Sequence, residues 1–321
     1  DNDGVFEITN AKELAFVIKN GGNGKNYILT ADIYLNDVSK ANWENTAINS
    51  WYDSYSATAF SGELNGNGHT VYGLYINIGN SYINYNSAAG LIPVAEDNAK
   101  VKNLGIDYAY INYESYASAF VGMGTGANVT IDGCYVGENV NITAYGVGAF
   151  RGYSNAMTTN IKNSYSLGTL NAKGGAYGFA SIVWGPLNIE GSFNANGPIL
   201  SDTNNYQVTI ADSYQSENGG VNDGTTTISA DNMKGEDVLT NENKMPLLKK
   251  NGYFVAKEGY PEFALFNGLP ITPAPDYVPE VEPDYTPDFD NEAPVNPNAW
   301  DGSLKEPKDS DNNGVYEIYS A

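Results

Sequence analysis

Eight tyrosines, Tyr82, Tyr85, Tyr108, Tyr110, Tyr113, Tyr116, Tyr145 and Tyr153, fall in corresponding intervals of three successive units of a chain that holds 25 tyrosines and four tryptophans. A tyrosine joins a flat apolar ring to a hydroxyl rim, so an exposed row of them can stack on the C–H faces of sugar rings while bonding their hydroxyls. The chemistry this points to is glycan recognition. The competing reading is that many of these rings are core or ladder residues, as Tyr135 and Tyr165 are expected to be.

The inventory for bond-breaking chemistry is thin. His69, the only histidine, sits in Asn65-Gly66-Asn67-Gly68-His69-Thr70 and reads as a turn or edge residue, which leaves no histidine-based triad. Cys134, the only cysteine, has no neighbour that would activate a thiolate and reads as a core residue. A glycosidase needs two carboxylates across a cleft. Asp107, Asp132, Glu138, Glu190 and Asp212 are scattered candidates whose spacing singles out no pair. Arg151, the only arginine, could serve as the base of a polysaccharide lyase, but no cluster of calcium-binding acids accompanies it, and it reads as a surface residue. Asp309, Asp311 and Asn313 with Gly314 have the D-x-D-x-N-G form of a calcium loop, yet the twelfth position is Ser320 rather than a bidentate glutamate. The alternative there is a solvated acidic linker; no other cofactor is indicated.

Charge narrows the partner. With 38 acidic residues against 16 basic ones, the formal net charge is −22, which disfavours nucleic acid, acidic polysaccharides and anionic membranes. A neutral partner is favoured. No apolar stretch approaches the roughly 20 residues that span a bilayer, so no membrane insertion is expected, and no basic, apolar start resembles a signal peptide. The sequence therefore reads as a mature or excised segment. One cysteine excludes an internal disulfide and leaves the compartment open.

The elements that would position these residues recur every 30 residues: Val71-Tyr-Gly-Leu-Tyr75, Val101-Lys-Asn-Leu-Gly105, Ile131-Asp-Gly-Cys-Tyr135 and Ile161-Lys-Asn-Ser-Tyr165. Shorter steps lead to Ile189-Glu-Gly-Ser-Phe193 and Ile210-Ala-Asp-Ser-Tyr214. A second motif follows half a unit later, at Leu91, Phe120, Phe150 and Phe179. Short runs rich in Val, Ile and Tyr between Gly, Asn, Asp and Ser are strand and turn, not helix. The reading is an all-β fold, a right-handed parallel β-helix or solenoid, in which rungs about 4.8 Å apart stack equivalent residues into ladders. Leu74, Leu104, Cys134, Ser164, Ser192 and Ser213 would form one inward ladder and the Leu91 series another.

Residues 1–60 read as an N-terminal cap with the first coils, opened by the capping box at Asn10 before a short helix that ends near Gly21-Gly22. Residues 61–228 carry the repeats, and 229–267 read as a partly helical closing cap. Residues 268–308, with nine prolines and nine acidic residues, form an extended linker. Residues 309–321 begin a second copy of the module, since Asp311–Ala321 matches Asp1–Ala11 at seven of eleven positions. Tandem copies in the parent chain follow, and linked weak sites gain avidity.

Phe60-Ser-Gly-Glu-Leu-Asn-Gly-Asn-Gly-His-Thr-Val-Tyr-Gly-Leu-Tyr75, with Ala89-Gly90-Leu91 and Val101–Gly105, resembles the GLUG-type repeat region of bacterial cell-surface proteins. The opening Gly4–Leu14 and the closing Gly259–Phe263 resemble what brackets such regions, so the likeness covers roughly residues 1–266. Tandem modules with acidic linkers are similar to ruminococcal cellulose-attachment proteins of cellulosome systems. The resemblance implies a noncatalytic, extracellular adhesion module on a bacterial surface that binds an uncharged polysaccharide, cellulose or a related β-glucan. A β-helix lyase or glycoside hydrolase, and a structural or protein-binding adhesin repeat, are the alternatives.

Overall fold

The structure, a computed structural model, describes residues 4–266 except 50, 52–57, 79–86, 125, 127, 155–157, 202–206, 218 and 220–223. The described chain is mostly β-strand, and pairing within its three main sheets is parallel.

The repeats that begin at Glu63, Lys100, Val129 and Thr159 pass through the first sheet, then the third, then the second, and return to the first one rung further on. One such passage is Val129–Asp132 and Tyr135–Val136 in the first sheet, Val140–Ala144 in the third and Gly146–Ser154 in the second. Thr159–Lys162 then pairs beside Val129–Asp132. Val101 pairs with Ile131 and Ile131 with Ile161, so the 30-residue period is the step from rung to rung. Inward residues form one continuous core, in which Phe120 stacks on Phe150 with centroids 5.4 Å apart and Phe150 meets Phe179 edge-on at 4.8 Å.

The repeat motif spells a corner. Its third residue, Asn103, Gly133, Asn163, Gly191 or Asp212, has φ between +45° and +64°, the left-handed region that only glycine and short polar residues enter at low cost. The fourth residue points inward and repairs the hydrogen bonding the corner interrupts. Ser164 Oγ donates to Lys162 O at 2.6 Å and accepts from Cys134 N at 3.2 Å. Ser192 Oγ donates to Glu190 O and accepts from Ser164 N, and Ser213 Oγ donates to Ala211 O and accepts from Ser192 N. The ladder is thus a hydrogen-bond relay as well as a row of small side chains. Cys134 is its sulfur-bearing member, wholly buried, with its thiol pKa pushed up by burial.

One repeat assignment is corrected by the register. Val71 pairs with Ile106, Tyr72 with Asp107 and Tyr75 with Tyr110, so Val71–Tyr75 is equivalent to Ile106–Tyr110, not to Val101–Gly105. These two repeats have a second corner, marked by Gly73 (φ +76°) and Tyr108 (φ +48°), and its sequence imitates the first. The true counterpart of Val101–Gly105 begins at Leu64 and resumes at His69, interrupted by Gly66-Asn67-Gly68. Leu74 therefore stacks with Ala109 and Val140 in the third sheet.

At the N-terminal edge, the helix Ala11–Lys19 lays Leu14, Ala15, Val17 and Ile18 on the core. Asn10 Oδ1 accepts from the Lys12 and Glu13 amides, and the Glu13 carboxylate accepts from Thr9 N and Asn10 Nδ2. This reciprocal cap occupies the donors that a helix start leaves open. Residues 230–266 are partly helical, with short 3-10 helices at Ala230–Met233, Pro246–Asn251 and Ala264–Phe266 beside a two-stranded antiparallel pair. They lie along the flank of the first sheet, from Leu247, whose amide donates to Tyr214 Oη, to Leu265 beside Gly68. The linker and the second-copy segment, 268–308 and 309–321, lie outside the described residues, and so do Asp309, Asp311 and Asn313.

Candidate binding surfaces

The six described tyrosines of the eight do not form one row. Tyr82 and Tyr85 lie outside the described residues. Tyr110 faces outward and is half-buried, whereas Tyr113, an odd number of residues further along the same strand, turns inward beside Ala109 and Ile111 and is 6% exposed. Strand alternation imposes that difference. Tyr116 and Tyr153 belong to the second sheet, stacked at 5.1 Å and buried, with Tyr145 edge-on to Tyr116. Their faces are used against each other and against Met123 and Ile182. Tyr108 sits at the corner, packed with Tyr34, Tyr72 and Trp43. The expectation of a single exposed platform is thus replaced by two separate aromatic patches.

Trp184 was passed over in the sequence, yet at 49% exposure it is a much more open aromatic than Tyr116 or Tyr153, and it meets Tyr153 edge-on at 5.6 Å. Its signal was alternation, since Val183 points inward and its neighbour must point out.

The scattered catalytic candidates are tied into the fold. His69 Nδ1 lies 3.2 Å from Asp32, whose carboxylate also accepts from Thr70 N. Asp107 is buried and accepts from the amides of Tyr108 and Asn139, while burial raises its pKa. Asp132 accepts from Asn163 Nδ2, Glu190 faces Lys162, and Asp212 pairs with Lys250 at 2.8 Å. Glu138 is exposed, at the turn beside Asp107. Arg151 is corrected from surface to interior. It lies within Gly146–Ser154, between Val121 and Ala180 on the flanking strands, is fully buried, and has its guanidinium pKa pulled down to about 9 by burial. Among the described residues, no three His, Cys, Asp or Glu side chains are grouped to hold a metal. A groove of about 460 Å³ between Asn103 and Gly133 on one side and Tyr253 and Phe263–Phe266 on the other is lined mainly by apolar groups and glycine, with no carboxylate or histidine.

The third sheet presents a different surface. Its strands Tyr75–Ile78, Ala109–Tyr113, Val140–Ala144 and Thr169–Ala172 turn Ile76, Ile111 and Ile142 inward. Outward, the register aligns Tyr75, Tyr110, Asn141 and Thr169 in one ladder and Asn77, Asn112, Thr143 and Asn171 in the next. None of these eight side chains is ionisable at neutral pH, in a chain of net charge −22. They are also tied to one another: Asn112 Nδ2 donates to Asn77 Oδ1 at 3.0 Å, and Asn171 Nδ2 donates to Asn141 Oδ1 at 3.2 Å. Mutual hydrogen bonds fix the amides before any ligand arrives, which lowers the ordering cost of binding. Four rungs extend this face about 14 Å along the stack.

No family model, curated protein or solved structure matches the chain. Its surfaces must therefore be weighed by their chemistry. Of the two aromatic patches, the second-sheet one is apolar and has spent most ring faces internally, while the third-sheet one adjoins a field of neutral donors and acceptors. No helix among the described residues is long and apolar enough to cross a membrane.

Proposed function

We propose that the chain is a right-handed parallel β-helix that acts as a noncatalytic binding module for an uncharged polysaccharide, with cellulose or a related plant-wall β-glucan as the first candidate, on a bacterial cell surface. The observation that carries this reading is the outward face of the third sheet, where stacked tyrosines adjoin a ladder of asparagine and threonine free of charge. Sugar rings require that combination: an apolar surface for C–H groups and neutral groups that both give and accept hydrogen bonds. The strand order first, third, second and the 30-residue step support the β-helix, because a coil that returns to its own sheet one rung on stacks like residues on like. The noncatalytic assignment rests on the five candidate carboxylates, of which Asp107, Asp132, Glu190 and Asp212 are engaged with backbone amides, asparagine or lysine.

Depletion from solution on insoluble cellulose, xylan and mannan tests the proposal. Retention on at least one neutral glycan is expected, unchanged by moderate salt because the face carries no charge. Failure to bind any of them, or release of soluble sugars from them, would overturn it.

A further inference from the structure

The aromatic ladder of the third sheet stops after two rungs, and the way it stops defines a place for a ring. Tyr75 and Tyr110 have centroids 5.5 Å apart and planes inclined by 19°. Two rings lying side by side flat on the sheet need more room than that, so these overlap face to face, with their planes across the stack axis. Each ring in such a ladder consumes the face of its neighbour. Tyr75 is covered on one side by Tyr110 and is met edge-on by Trp43 at 6.2 Å.

Tyr110 differs, because its other face looks along the stack to the next rung, where the register places Asn141 and then Thr169. Both are shorter than tyrosine and exposed. Tyr75 is the ring stacked on Tyr110, which also packs against the cluster of Val38, Trp43 and Tyr72. The ladder therefore ends in a step, with an open tyrosine face as its riser and Asn141 and Thr169 as its tread. Beside the step stand Asn112 and Thr143, the next outward residues of the same strands.

We propose that one pyranose ring of a neutral glycan occupies this step and continues the ladder as its third ring, stacked on Tyr110 above Asn141 and Thr169, with hydroxyls in reach of Asn112 and Thr143. This rests on the glycan-binding reading and names where and how the ring sits. The spacing suits it, since rungs about 4.8 Å apart fall inside the separation at which rings stack. The absence of charge at the eight outward positions suits a neutral sugar over a uronic acid. An exposed row of rings lying flat is not required, and the burial of Tyr113, Tyr116 and Tyr153 does not count against this pose.

The decisive variant fills the step. Asn141→Tyr places a third tyrosine on the ladder at an exposed strand position that tolerates aromatic residues, so the protein is expected to stay folded with an unchanged or raised Tm. Its retention on the glycan that holds the wild-type chain is expected to fall about tenfold, the weight of one ring-stacking contact. Tyr110→Leu, which removes the riser, is expected to lose binding to the same extent. If Asn141→Tyr and Tyr110→Leu are both folded and both bind within twofold of wild type, the ring sits elsewhere and this inference is overturned, while the glycan reading stands. If the wild-type chain binds no neutral glycan, both fall together.

Discussion

Two outward-facing aromatic ladders, one on the first sheet and one on the third, have opposite fates. On the first sheet Tyr135, Tyr165, Phe193 and Tyr214 follow one another through four rungs. Tyr135 stacks on Tyr165 at 5.3 Å and 8°, and Tyr165 on Phe193 at 4.9 Å and 5°. The chain's own C-terminal segment covers them, with Phe254, Phe263, Met233 and Met245 buried against the rings. On the third sheet only Tyr75 and Tyr110 stack, and then the ladder gives way to asparagine and threonine. The difference teaches that a tyrosine row on a parallel sheet is a structural device by default. On the proposed reading it becomes a binding device only where it is interrupted.

Breaking the covered ladder should have the largest effect. Phe193→Ala removes a fully buried ring that touches Tyr165, Phe254 and Tyr260, and is expected to cost about 3 to 5 kcal/mol in chemical denaturation. A loss below about 1 kcal/mol would mean that the C-terminal segment contributes little to the fold. Next comes the serine relay beneath the ladder. Ser192→Ala strips the buried Ser164 amide of its acceptor and is expected to cost about 1 to 3 kcal/mol.

The same ladder carries a pH signature. Burial raises the pKa of Tyr165 well above that of a free tyrosine, so the folded state holds its proton after the unfolded chain has released it. The stability that Tyr165 contributes is thus complete below about pH 10 and is lost as pH rises further. Tyr165→Phe, which has no proton to lose, should gain in Tm relative to wild type above that pH, and parallel Tm curves from pH 7 to 11 would contradict the assignment. The smallest effect is expected on the open face. Asn171→Ala removes exposed hydrogen bonds to Asn141 and Thr143 and should alter stability by no more than about 0.5 kcal/mol. A larger loss would mark the third-sheet face as another structural seam.

Much of this was legible in the residues. The left-handed corner was written in Asn103, Gly133, Asn163, Gly191 and Asp212, and the inward phenylalanine ladder in the spacing of Phe120, Phe150 and Phe179. What misled was resemblance between the two corners of one coil. Val71–Tyr75 looks like Val101–Gly105 because both turn the chain, yet they turn it at different places. Arg151 misled for another reason: a lone charged residue is ordinarily a surface residue, and only its complete burial in the folded chain shows that it is enclosed.

By itself the sequence determined the period, the strand character, the corner chemistry and the charge, because each depends on local backbone preference or simple composition. Which side of the stack each tyrosine faces was decided by tertiary structure. The parity of a residue within its strand, the corner it follows and the segment that folds back over it are relations between rungs, and together they bury Tyr165 under Phe263 while leaving Tyr110 half-buried on an outward ladder.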